Sequence, residues 1–153
     1  MQQITIQSAG RWGGEIENRT FDLKKALEEL IDNYRSGHEK ATINLDFQLK
    51  DPEIFADSFH LIHLVDNLIS NALKYAGEKA EIQISCKQEK PNKLLISVKD
   101  NGPGVSTHSR KRIFRTGFRS NHRHQNSHGI GLAYVRKIVR QYNGRRLCIS
   151  GKK

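Results

Sequence analysis
Apolar residues recur at two spacings along this chain of 153 residues, and the switches between them mark its elements. From Phe21 onward, Leu23, Ala26, Leu27, Leu30 and Ile31 keep the three-and-four spacing of a helix face, with Asp22 placed to cap the start and Ser36-Gly37 to stop it. Ile43, Leu45, Phe47 and Leu49 then alternate with polar residues, the period of a half-buried strand. After Asp51-Pro52, Glu53-Ile54-Phe55-Ala56 is short enough for one further strand, and Asp57 or Ser58 opens the long helix that carries Asn67 to Tyr75. Glu81 to Lys87 and Lys93 to Lys99 predict a hairpin that turns around Glu89-Lys90-Pro91-Asn92.

Helical spacing resumes at Leu132, Val135, Ile138 and Val139 and stops at Asn143-Gly144, after which Arg146 to Ser150 starts a strand with no partner left for it. Met1 to Thr20 shows no clear period, and Gly10-Arg11-Trp12-Gly13-Gly14 predicts a loop or linker. Helices and strands mix without strict alternation, so the expected class is α+β, a two-layer α/β sandwich with the helices on one face of a mixed sheet.

Composition adds limits. One domain with a real core is the expectation for this length, and 36% hydrophobic with 27% charged residues is far from disorder. No apolar run approaches the roughly 20 residues that cross a bilayer, and no signal peptide is visible. Cys86 and Cys148 fall in expected strands and read as reduced thiols of a cytoplasmic protein. The net charge of +10 is unevenly spread. Up to Asp100 there are 13 basic and 16 acidic residues; beyond it are 13 basic residues and no acid. Such a half suits an anionic partner, either nucleotide phosphate or nucleic acid, and equally a solvated basic surface.

Three stretches carry candidate chemistry. In Asn67-Leu68-Ile69-Ser70-Asn71-Ala72-Leu73-Lys74-Tyr75, positions 67, 71 and 74 share one helix face within apolar surroundings. Two carboxamides and an ammonium there are costly unless satisfied, and Mg²⁺ with a triphosphate would satisfy them; an ordinary solvent stripe would also fit. Asp100-Asn101-Gly102-Pro103-Gly104 sets a carboxylate at a strand end against a glycine turn. The carboxylate could accept from the exocyclic amine of adenine, although the same residues make a good plain turn. His128-Gly129-Ile130-Gly131-Leu132 leads into a helix whose free N–H groups favour phosphate.

In this order the three stretches resemble the catalytic ATP-binding domain of sensor histidine kinases, a branch of the superfamily that holds gyrase, the heat-shock chaperone ATPases and the mismatch-repair ATPases. The resemblance covers about Phe21 to Ser150. It implies the Bergerat type of sandwich with a mobile ATP lid, and ATP and Mg²⁺ as cofactors. It assigns Asn67 and Asn71 to the metal and phosphates, Lys74 to the phosphates, Tyr75 to the nucleoside, and Asp100, Gly102 and Gly104 to adenine. Gly129, Ile130, Gly131 and Leu132 go to the phosphate loop. Ile113-Phe114 and Phe118-Arg119 resemble the family's phenylalanine box, with Arg119 reaching the γ-phosphate. Arg115 and Gly117 depart from that box, and Ser127 replaces the first glycine of the usual loop.

Where gyrase-like ATPases have a water-activating glutamate, this chain has Asn67, and an amide cannot take a proton from water. The resemblance therefore implies phosphoryl transfer, with Asn67, Lys74 and Arg119 as catalytic residues, to a histidine on a separate dimerisation domain of the same full-length kinase. A response regulator would act downstream. No residue here suits the acceptor: His38-Glu39 lies in an expected loop, and His60 and His63 are expected to pack or face solvent. The domain expectation is a linker or the end of a preceding helical segment over 1–20, and the catalytic domain over 21–153 with its C-terminal strand cut short. The isolated chain is expected to be a monomer without specific nucleic-acid binding. An anti-sigma-type serine kinase on the same fold and a basic nucleic-acid-binding module are the alternatives.

Overall fold
Two aspartates decide where the first two helices begin. In this computed structural model, which describes residues 2–7, 17–91, 93–105, 112–113, 131–142 and 147–149, Asp22 caps helix α1 (Leu23–Gly37) by accepting from the Lys25 N–H at 2.9 Å. Asp57 caps α2 (Ser58–Ala76) by accepting from the His60 N–H at 3.0 Å. Each cap satisfies an N–H that the helix cannot pair internally. Gly77 ends α2 at φ 82°, and α1 ends at His38, with φ −138° and ψ 64°, rather than on a left-handed glycine.

The main sheet has the order β3-β5-β6-β1-β7. Its strands are β1 (Gln2–Gln7), β3 (Thr42–Phe47), β5 (Glu81–Lys90), β6 (Lys93–Asp100) and β7 (Leu147–Ile149). β3 runs parallel to β5, with Ile43 opposite Ile82, and the other pairs are antiparallel, so the sheet is mixed. A separate two-stranded sheet joins β2 (Arg19–Asp22) to β4 (Glu53–Ala56). Ile43, Ile82, Ile84, Cys86, Ile96 and Val98 form the sheet side of one core. Leu23, Leu27 and Ile31 of α1, seven residues of α2 from Leu61 to Leu73, and Val135, Ile138 and Val139 of α3 (Gly131–Gln141) form the helical side. A mixed α/β architecture with one helical layer is thus the expected one.

Two expectations need correction, and they share a cause. Residues 1–20 carry no evident period, yet they contribute β1 and β2; the segment expected to end without a partner, Arg146 to Ser150, contains β7, which pairs with β1 from Gln2 opposite Ile149 to Ile4 opposite Leu147. β1 in turn pairs with β6 along its whole length, from Gln2 opposite Val98 to Gln7 opposite Lys93. Each of these short strands takes its hydrogen bonds from a distant part of the chain, so no local pattern announces it. Glutamines at both ends of Gln2–Gln7 further dilute the alternation of Ile4 and Ile6.

Candidate functional site
α2 carries the first candidate stretch, and Gly102 of the second and Gly131 of the third both lie against it. Asn67 donates from Nδ2 to the His63 carbonyl one turn earlier, at 2.7 Å. That leaves its Oδ1 facing the start of α3, where a Cβ added to Gly131 would come within 2.5 Å of it. Only glycine fits that position without displacing the amide. One turn on, Asn71 Nδ2 is buried and has no hydrogen-bond partner among the described residues. Such a donor costs about 1–3 kcal/mol unless something arrives to accept from it. The Lys74 ammonium then lies 5.3 Å from the ring centre of Tyr75, a residue 42% exposed at the end of the helix.

The turn after β6 closes onto the same helix end. Asp100, half-buried and paired across the hairpin with Ile82, accepts from the Gly102 N–H at 2.9 Å. A Cβ on Gly102 would meet Asp100 Oδ1 at 2.7 Å and the backbone of Tyr75 and Ala76 at 3.3 Å. The buried glycine therefore lets the turn lie directly on the last turn of α2. Gly104 holds φ 77°, which a side chain would strain.

Asn101, which the sequence reading treats only as a turn former, has its own task. Its Oδ1 accepts from the Glu81 N–H at 3.0 Å and its Nδ2 donates to the Lys79 carbonyl at 3.1 Å. The side chain extends the β5–β6 pairing past its last backbone rung and locks the turn to the loop that follows α2. The signal for this is faint, since a carboxamide in a turn is ordinary.

From the third stretch, Gly131 and Leu132 belong to α3, and Leu132 is half-buried. Arg119, Gly129 and Ile130 lie outside the described residues, as does nearly all of the segment expected to be the lid. Of that segment, Ile113 is buried and Arg112 exposed. His60 and His63 pack against Tyr134 of α3. Burial, with the Asp57 charge second, raises the Tyr134 hydroxyl above its ordinary pKa.

The group of side chains on α2 and the turn beside it is two carboxamides, one ammonium and one carboxylate, with two glycine backbones pressed against them. Among the described residues no three of His, Cys, Asp and Glu gather to hold a metal ion. A hard cation that brings phosphate oxygens with it fits amide oxygens better than a soft or caged one. The Asn71 Nδ2 donor, buried and without a partner among the described residues, fits a phosphate-bearing ligand with such a cation.

Residues 56–152 match the family described as histidine kinase-, DNA gyrase B-, and HSP90-like ATPase. The sensor protein RprX of Bacteroides fragilis is 35% identical over 135 residues, which are 84% of this chain and 26% of that protein. The adaptive-response sensory kinase SasA of a Synechocystis strain is 27% identical over 133 residues, 85% of this chain and 35% of its own length. The chain thus spans about a quarter to a third of the curated relatives it matches. Among solved structures, the mycobacterial sensor histidine kinase MprB superposes with a TM-score of 0.74 at 22% identity, over 86% of this chain and 84% of that one. Full-length ShkA in complex with AMPPNP gives 0.74 at 21%, over 91% of this chain and 33% of the other. These likenesses show the fold.

Proposed function
We propose that this chain, which belongs to the histidine kinase-, DNA gyrase B-, and HSP90-like ATPase family, holds ATP for transfer of its γ-phosphoryl group to a histidine on another domain. It is a histidine kinase catalytic ATP-binding domain of the sensor-kinase kind, and neither the serine-kinase nor the nucleic-acid alternative is favoured. The contact of Gly131 with Asn67 Oδ1 carries the reading, because it joins the amide helix to the glycine-led helix at one point.

In this reading Asp100 accepts from the adenine amine, and Gly102 and Gly104 let the backbone lie along the base. Tyr75 flanks the nucleoside. Asn67 and Asn71 turn their amides to the phosphates and would hold Mg²⁺, which when bound spreads the charge of the phosphate oxygens. Lys74 and the backbone of Gly129 to Leu132 hold the phosphates, and Arg119 the γ-phosphate. An imidazole nitrogen from the partner domain attacks the γ-phosphorus; the bond to the β–γ bridging oxygen breaks, and the electron pair leaves on ADP. Lys74 and Arg119 balance that charge as it moves. Asn67 offers no base for water, so transfer outcompetes hydrolysis.

The partners this requires are the histidine-bearing dimerisation domain of the full-length kinase and a response regulator that accepts the phosphoryl group. The catalytic unit takes in β1 of the main sheet together with residues 21–153, and we place it on the cytoplasmic side of whatever carries it. No helix among the described residues is long and apolar enough to cross a membrane. Titration calorimetry with ATP and Mg²⁺, with GTP as control, tests the assignment. ATP should bind and GTP should bind at least tenfold more weakly; equal affinities would overturn the adenine site.

A further inference from the structure
α2 and α3 meet at three contacts that run in opposite chain directions. At one end Tyr142 accepts from the Asp57 N–H at 2.8 Å. In the middle the Tyr134 hydroxyl lies 2.6 Å from His60 Nδ1, and its ring meets the His63 ring edge-on at 4.8 Å between centres. At the other end Gly131 abuts Asn67 Oδ1.

The middle contact is directional. The hydrogen bond between His60 Nδ1 and the Tyr134 hydroxyl fixes both a distance and an angle, and His60 Nε2 lies 3.9 Å from Asp57 Oδ2. Phe59 stacks on the His63 ring at 6.0 Å. The buried Val135, Ile138 and Val139 fix α3 on the core, but apolar contacts alone permit small rotations and slides of a helix. A hydrogen bond and an edge-on ring do not. Tyr134 follows Gly131 by three residues, one turn of the same helix, while His60, His63 and Asn67 follow one face of α2. Any slip at Tyr134 is therefore passed to Gly131, which lies so close to Asn67 that a Cβ there would meet its Oδ1 at 2.5 Å.

Building on the nucleotide-site reading above, we infer that Tyr134 is a positioning residue for the phosphate end of that site, acting through His60 and His63 to hold Gly131 against Asn67. Two readouts on the full 153-residue chain test it in Tyr134→Phe, His60→Leu and the double variant. In the ¹⁵N-labelled protein without nucleotide, the Asn67 side-chain amide resonance, identified by its loss in Asn67→Asp, should shift in both single variants, and the double variant should add nothing further. By calorimetry, affinity for ATP with Mg²⁺ should fall about 3–10-fold, the scale of one neutral hydrogen bond, while affinity for ATP with EDTA stays within twofold. An unmoved Asn67 resonance would overturn the inference. So would strictly additive variants, or equal losses with and without metal, which would make Tyr134 a merely structural residue. A wild-type chain that binds no ATP would instead refute the nucleotide reading, with the resonance still deciding the role of Tyr134.

Discussion
Gly131 shows how much one hydrogen atom in place of a side chain can decide. In Gly131→Ala the new methyl would sit 2.5 Å from Asn67 Oδ1, so the amide or the start of α3 must move. The fold should survive, because α3 keeps its buried Val135, Ile138 and Val139. Calorimetry should show affinity for ATP with Mg²⁺ at least tenfold lower, with the melting temperature changed by only a few degrees; an unchanged affinity would remove Gly131 from the site. Asp100→Asn tests the other end. Losing a charge-assisted hydrogen bond to adenine should cost roughly 1.5–3 kcal/mol of ATP affinity and narrow the preference over GTP. An Asp100→Asn chain that still prefers ATP as strongly as the wild type would contradict the assignment.

At the level of elements, the turn after β6 is held by its asparagine more than by its glycines. Asn101→Ala removes two hydrogen bonds, one to the Lys79 carbonyl of the α2–β5 loop and one from the Glu81 N–H at the start of β5, and the expected loss is about 2 kcal/mol of stability in urea melts. ATP affinity should fall with it, since the same turn carries Asp100. A second test concerns pH. Burial, with the Asp46 charge second, pushes the Cys86 thiol on β5 up to about 12. Burial, then Asp66, raises the Tyr34 hydroxyl on α1, which donates to Asp66 Oδ1 at 2.7 Å and so ties α1 to α2. Groups raised in the folded state hold more protons folded than unfolded. Their contribution is complete below the unfolded values, about 8.5 for a thiol and 10 for a phenol, and is lost as pH rises toward the folded ones. Stability should therefore be flat to about pH 8 and fall above it, and less steeply in Cys86→Ala and Tyr34→Phe. Equal alkaline slopes in all three proteins would show that these groups do not govern the loss.

For the whole molecule, the proposed separation of nucleotide site and acceptor predicts a silent chain. Incubated alone with γ-labelled ATP and Mg²⁺, it should take up no stable label and release no phosphate above background, because it offers Asn67 where a base would stand. Stable label on this chain would require an acceptor within it. The basic residues beyond Asp100 should bind duplex DNA weakly and non-selectively, with affinity collapsing as salt approaches physiological strength, where the Debye length is about 8 Å. Sequence-selective binding that persists at that salt would point the basic half toward nucleic acid.

What the sequence determined by itself is whatever a local period or a local cap encodes. Asp22 and Asp57 cap their helices because a carboxylate can reach an N–H three residues on, and the strands from Thr42 and Glu81 alternate because a pleat has two faces. The face shared by Asn67, Asn71 and Lys74 follows from helical geometry alone, so most of the candidate site was legible before any fold was known. Only the tertiary structure decided which distant pieces close it. That β1 sits between β6 and β7, that Asn101 reaches Lys79 and Glu81, and that Tyr134 lands on His60 depend on how sheet and helices pack, not on any neighbour in the chain. The same holds for Gly131. Its sequence context says only that a helix follows a glycine, and the reason nothing larger fits is Asn67, carried there by another helix.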